Sequence, residues 1–140
     1  MAWSRQLASL SSKTEKELQN LVEKNLEEIF GLTFIETEFV VHLFRIDTVA
    51  FDKESNALVI IEYKETEDYS IIDQGYSYLN LLLNHKGDFQ LALERRLNKR
   101  MDVDWSQSRI IFIAKSFNAV PIRRSLAKLT LRTMEIRALR

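Results

Sequence analysis

Three residues set in two apolar stretches could do chemistry together: Asp47 in Arg45-Ile46-Asp47, and Glu62 with Lys64 in Ile61-Glu62-Tyr63-Lys64. The second stretch, Ala57 to Lys64, is a nearly continuous apolar run, the pattern of a strand covered on both faces, where an uncompensated charge is costly. Side chains alternate along a strand, so Glu62 and Lys64 point to one face, about 7 Å apart. In the preceding strand, Arg45 to Phe51, Asp47 shares a face with Arg45, Val49 and Phe51. Asp52-Lys53-Glu54-Ser55-Asn56 reads as the hairpin turn between the two. Antiparallel pairing across that turn brings Asp47 near Glu62. Two converging carboxylates form a hard-oxygen site for Mg²⁺ or a similar ion, which keeps several waters and also binds phosphate. A neighbouring ammonium can hold or help deprotonate an attacking water and offset charge that builds on phosphorus. The same spacing also fits a structural ion pair of Glu62 with Lys64 or Arg45 at a strand end.

The elements that must position these residues follow from periodicity. Ser12-Lys13-Thr14-Glu15 reads as a capping-box start, and Leu18, Leu21, Val22, Leu26 and Ile29 form the apolar stripe of a helix over about 12–30 that ends at Gly31. Glu17 and Glu23 lie on opposite edges of that stripe, Glu27 points away, and Asn25 falls within it, where it should bond a buried backbone group or a site residue. Strands are predicted near 33–41, 45–52 and 57–64, helices near 70–84 and 87–100, and a strand at 109–114. Pro121 opens a short helix through Leu126, and a last strand runs near 133–139. A strand meander followed by a helical crossover into another strand implies an α/β fold, a mixed sheet with helices on its faces.

The residues RID…IEYK resemble the D…(D/E)xK signature of the PD-(D/E)xK, or restriction-endonuclease-like, phosphodiesterase superfamily, and are most similar to small archaeal and bacterial members. Downstream, Gln74 and Tyr78 share a helix face at i,i+4 and resemble the QxxxY element of RecB-type nuclease domains; the alternative is that Tyr76 and Tyr78 are core aromatics. Further similarity lies in Asn25-Leu26-Glu27 before Phe30-Gly31-Leu32, Thr37-Glu38-Phe39, Asp104-Trp105 with Arg109-Ile110, and Glu135-Ile136-Arg137, so that it spans most of residues 15–137. Two positions depart: Ile46 stands where the superfamily's proline would, and Phe44 where a glycine is expected, which would narrow access to the site.

The resemblance implies an αβββαβ restriction-endonuclease-like core and a DNA nuclease that uses Mg²⁺ or Mn²⁺. Asp47 and Glu62 would be metal ligands, the backbone carbonyl of Tyr63 would complete the set, and Lys64 would position the nucleophilic water. Gln74, Tyr78 and a first-helix carboxylate, by register Glu17, would support them; the bland alternative for these glutamates is solvated surface charge. Against the enzyme stand two further readings: a noncatalytic module of the same fold that binds nucleic acid or protein, and a structural or regulatory dimer. A nuclease domain of this size is also expected to be a homodimer, since paired sites cut both strands of a duplex.

Composition bounds the rest. The chain has 140 residues, 46% of them hydrophobic, three glycines and one proline, and reads as one domain over 1–140. It contains no cysteine, which excludes disulfides, cysteine nucleophiles and cysteine-ligated metals. No apolar run is long enough to span a bilayer and Met1-Ala2-Trp3-Ser4-Arg5-Gln6 lacks a secretory core, so a soluble cytoplasmic protein with no membrane partner is expected. His42 and His85 lack metal-spaced partners, and His42 reads as a structural strand residue. No phosphate-binding glycine loop is present. Net charge is zero, but residues 1–94 carry net −9 and residues 95–140 net +9. Arg45, Arg95, Arg96, Lys99, Arg100, Arg123 and Arg124, with Lys128 and Arg132, could supply phosphate contacts to DNA, RNA not being excluded. Alternatively the basic segment neutralises the acidic first helix.

Overall fold

Alternation and apolar runs place five strands: β1 (Thr33–Val41), β2 (Phe44–Asp52), β3 (Ala57–Thr66), β4 (Arg109–Ser116) and β5 (Arg132–Arg137). A computed structural model describes residues 14–66, 70–116 and 132–137. The strands form one sheet in the order β1-β2-β3-β4-β5. Both hairpin pairs at the start are antiparallel, β3 and β4 are parallel, and β4 with β5 is antiparallel, so the sheet is mixed as the meander and crossover require. Two helices, α3 (Ser70–Asn84) and α4 (Lys86–Leu97), make the crossover from β3 to β4.

Strand β3 explains the two-sided architecture. Leu58 and Ile60 face one way and Val59 and Ile61 the other, and all four are fully buried. On the first side they join Val49, Phe51, Ile110 and Phe112 beneath Ile71, Leu79, Leu82, Phe89 and Leu93 of α3 and α4. On the second they join Ala50, Ile111 and Ile113 beneath Leu18, Leu21 and Val22 of helix α1 (Glu15–Lys24). Each such side chain withdrawn from water contributes about 1.5–3 kcal/mol, which is why the apolar face of α1 outweighs its modest length.

The helix expected over 12–30 divides at Asn25 into α1 and α2 (Leu26–Phe30). Asn25 Nδ2 donates to the Leu21 carbonyl at 2.7 Å, competing with the helical ladder and turning the chain. Its capping box is Thr14 with Glu17, two residues later than expected; Ser12 lies outside the described residues. Helix α4 stops at Asn98, which adopts φ 55°, short of the expected residue 100. His42 occupies the two-residue turn between Val41 and Phe44, not a strand, with φ 55°. Strand β5 covers 132–137, while the helix expected from Pro121 to Leu126 lies outside the described residues. Arg109, nearly buried, ties the β2 end to β5 through Asp52 at 3.0 Å and Glu135 at 3.4 Å. No helix among the described residues is long and apolar enough to cross a membrane.

Candidate active site

Strands β2 and β3 remain in register up to Thr48 opposite Ile61, and there the ladder stops. Asp47, one step further, has a partner in neither neighbouring strand's register, and Glu38, which would face it from β1, adopts φ 50°. Side chains hold its peptide instead: its N–H donates to Glu62 Oε1 at 3.2 Å, and its carbonyl accepts from Gln19 Nε2 at 2.8 Å. In return the Tyr63 N–H donates to Asp47 Oδ2 at 3.1 Å. The two carboxylates thus face each other between parted strands, as the hairpin geometry predicts.

Burial acts strongly on this pair. Glu62 is only 4% exposed. Desolvation first, then the hydrogen bond and negative charge of Asp47, push its carboxyl up to about 9, against the opposing pull of the Asp47 N–H and the Lys64 ammonium. Two acids this close share a proton or take up a cation. One oxygen of each carboxylate is oriented by a backbone amide, and Glu62 is further engaged by the Asp47 carboxyl and the Tyr78 hydroxyl. Lys64 lies half-buried on the same strand face as Glu62, two residues along. Among the described residues no group of three His, Cys, Asp or Glu side chains gathers as a metal site. The donors here that could hold an ion are the two carboxylates, with the Tyr63 carbonyl next in the strand, all of them hard oxygens.

Helix α3 covers this end of the sheet. Gln74 and Tyr78 lie together on it, and the Tyr78 hydroxyl reaches both Gln74 and Glu62. Burial and the negative charges of Glu62 and Asp47 push that phenol up to about 12, so it stays a proton donor at neutral pH. Tyr76, by contrast, is 45% exposed. Phe44 packs edge-on against Tyr78, ring centroids 6.2 Å apart, so the residue that replaces the expected glycine flanks the site. Gly75, between Gln74 and Tyr78, lets α3 approach the sheet: an added Cβ would strike the Ile136 side chain and come within 3.2 Å of Phe112. Gly75→Val is expected to destabilise by about 1–3 kcal/mol by overpacking and to displace Tyr78; urea unfolding measures it, and an unchanged midpoint would show that α3 has slack here.

A second polar cluster, unforeseen except for Glu23's place on the stripe edge, lies on the opposite face of the sheet. Gln19 Nε2 also approaches Thr37 Oγ1 and Glu23 Oε2, each at 3.1 Å. Thr48 Oγ1 donates to Glu23 Oε2 at 2.6 Å and lies 3.0 Å from the Tyr63 hydroxyl. That phenol is raised well above its ordinary value, chiefly by burial. The signal was available: Gln19 and Glu23 are i,i+4 on a stripe edge, and Thr48 and Tyr63 interrupt apolar strands. Glu17, preferred by register, is instead engaged at the helix start, accepting from the Thr14 N–H and hydroxyl at 3.2 Å each. The first-helix carboxylate brought against the Asp47-bearing strand is Glu23.

The basic residues that lie among the described ones have other neighbours. Arg45 is exposed and pairs with Glu38 at 3.3 Å. Arg95 and Arg96 line a groove between α4 and β1 with Glu36, Phe39 and Leu91. Arg96 also lies 4.9 Å from the Phe34 ring and borders a second groove with Glu23, Glu27 and Glu28, so part of the basic segment does meet the acidic first helix. Lys99 and Arg100 are exposed just beyond α4. Arg132 belongs to β5, while Arg123, Arg124 and Lys128 lie outside the described residues. His42 and His85, remote in sequence, stack at 5.8 Å.

The mixed sheet, its crossover helices and their order define an α/β fold of the restriction-endonuclease-like class. The solved EndoMS–dsDNA2 complex superposes with a TM-score of 0.52 at 19% identity, covering 76% of this chain and 37% of that one. A repair endonuclease from Pyrococcus abyssi aligns with a TM-score of 0.48 at 21% identity, over 77% of this chain and 40% of its own. An uncharacterized protein of Haemophilus influenzae is 47% identical over 121 residues, 84% of this chain. The chain spans 40% of that relative's length. No protein-family model matches the chain.

Proposed function

We propose that this domain is a divalent-metal-dependent nuclease that hydrolyses DNA phosphodiesters. The observation that carries the reading is the buried Asp47–Glu62 pair standing between parted strands, with Lys64 on the same face. The fold shared with EndoMS, a protein solved with double-stranded DNA, agrees with it. Asp47, Glu62 and the Tyr63 carbonyl would hold Mg²⁺ or Mn²⁺, which when bound supplies Lewis acidity and a template for the phosphate. Lys64 Nζ holds the attacking water and offsets negative charge on the phosphoryl oxygens as the phosphorus–oxygen bond to the leaving group breaks. Tyr78, kept protonated, donates toward Glu62 and fixes its orientation, with Gln74 steadying the phenol. Arg95, Arg96, Lys99, Arg100, Arg123 and Arg124 would contact the backbone of the substrate.

Incubating the protein with labelled single-stranded, duplex and branched DNA, and with RNA, in Mg²⁺ and in Mn²⁺ tests this. Cleavage by the parent is expected, with Lys64→Ala reduced at least about 100-fold. A folded parent that cuts no substrate in either ion would contradict the enzyme and leave a nucleic-acid- or protein-binding module of the same fold.

A further inference from the structure

We propose that Gln19 is a positioning residue for the metal centre, acting on Asp47 through a polar clamp that it forms with Glu23, Thr48 and Tyr63 on the far face of the sheet. This rests on the metal-dependent reading of the Asp47–Glu62 pair. Gln19 is 4% exposed and Thr48 fully buried, in a layer otherwise built from Leu18, Val22, Ala50, Val59 and Ile61. Buried polar groups are costly unless bonded, and apolar residues would fill this layer as well. These four form a chain of hydrogen bonds, Tyr63 to Thr48 to Glu23 to Gln19, and Gln19 ends it on the Asp47 carbonyl, with Thr37 beside it.

Neither adjacent ladder pairs Asp47. Its carbonyl takes the shortest of the three Gln19 contacts, 2.8 Å against 3.1 Å to Thr37 and 3.1 Å to Glu23. A carbonyl left without that donor would turn toward another one, and the carboxylate would turn with the peptide. The second half of the clamp fixes the partner strand. Thr48 follows Asp47 and Tyr63 follows Glu62, and their hydroxyls lie 3.0 Å apart across the gap. Glu23, holding Thr48 at 2.6 Å and facing the Gln19 amide, ties both bonds to α1. The separation of the two carboxylates on one face is thereby set by hydrogen bonds on the other. Polar groups that orient metal ligands are worth about 10–100-fold in affinity.

Calorimetric titration of Mn²⁺ into the parent, Gln19→Leu and Tyr63→Phe, well below each thermal midpoint, tests the clamp without reference to cleavage. Each variant should stay folded by circular dichroism and bind Mn²⁺ about 10–100-fold more weakly than the parent. A purely structural role would lower the midpoint and leave the affinity of the folded protein unchanged, and that result would overturn the inference. If Gln19→Leu does not fold, Tyr63→Phe, which removes one oxygen, decides on the same criterion. A parent that binds no Mn²⁺ overturns the metal-centre reading and the clamp together; a parent that binds while both variants match it overturns the clamp alone.

Discussion

Glu62→Gln should abolish metal-dependent cleavage, lowering the rate by about 10³-fold or more, and should at the same time stabilise the metal-free protein above neutral pH. Both effects come from one buried acid. The amide keeps the shape and can still accept from the Asp47 N–H, but it brings no negative charge to a cation. The stability effect follows from proton linkage. Burial and Asp47 raise the Glu62 carboxyl from 4.5 to about 9, so the folded protein holds a proton that the unfolded chain releases. Its contribution is fully present below the unfolded value and is lost as pH rises through the folded one. Between about pH 5 and 9 the metal-free parent should therefore lose about 1.4 kcal/mol per pH unit from this group, a slope that Glu62→Gln removes. Urea unfolding in a chelator at several pH values measures it, and parallel slopes for parent and variant would refute the assignment. Adding Mn²⁺ at neutral pH should expel that proton, since the ligand must ionise to bind.

The second large effect is on the core. Phe89, on the sheet-facing side of α4, is fully buried, with its ring edge-on to Phe39 at 5.2 Å and Leu93 and Ile35 in the same cluster. Phe89→Ala should cost about 3–5 kcal/mol, the lost transfer energy plus a cavity that helix and sheet close only in part. Phe39, on which the ring packs, pairs with Ile46 beside Asp47, and the same helix carries Arg95 and Arg96, so the folded variant should also cleave more slowly than the parent. Chemical denaturation gives the first quantity and a single-turnover assay the second. A loss below about 1 kcal/mol would mean that α4 is loosely seated and that its arginines are not held in one place.

Much of this was legible in the sequence because two simple periods govern it. Strand alternation placed Glu62 with Lys64, and the short turn after Asp52 fixed the register that sets Asp47 opposite Glu62. The run from Ala57 to Lys64 announced a strand buried on both faces, as β3 is. What escaped was decided by competition between local hydrogen bonds. Asn25 reads as a helix residue until its amide takes the Leu21 carbonyl, and Glu17 closes the capping box with Thr14 at the helix start, a bond its register does not announce. Gln19 escaped for another reason: its partners, Thr37 and the Asp47 carbonyl, lie 18 and 28 residues away. A backbone carbonyl freed from its ladder leaves no mark in a residue pattern. The stacking of His42 on His85 is of the same kind, a consequence of where a turn and a helix junction meet.

Anomalous diffraction from crystals soaked in Mn²⁺ would locate the ion itself. A peak is expected between the carboxylates of Asp47 and Glu62, in reach of the Tyr63 carbonyl, and it should disappear in Glu62→Gln. A well-ordered site with no peak there, the acids joined only by a shared proton, would contradict the metal-dependent reading.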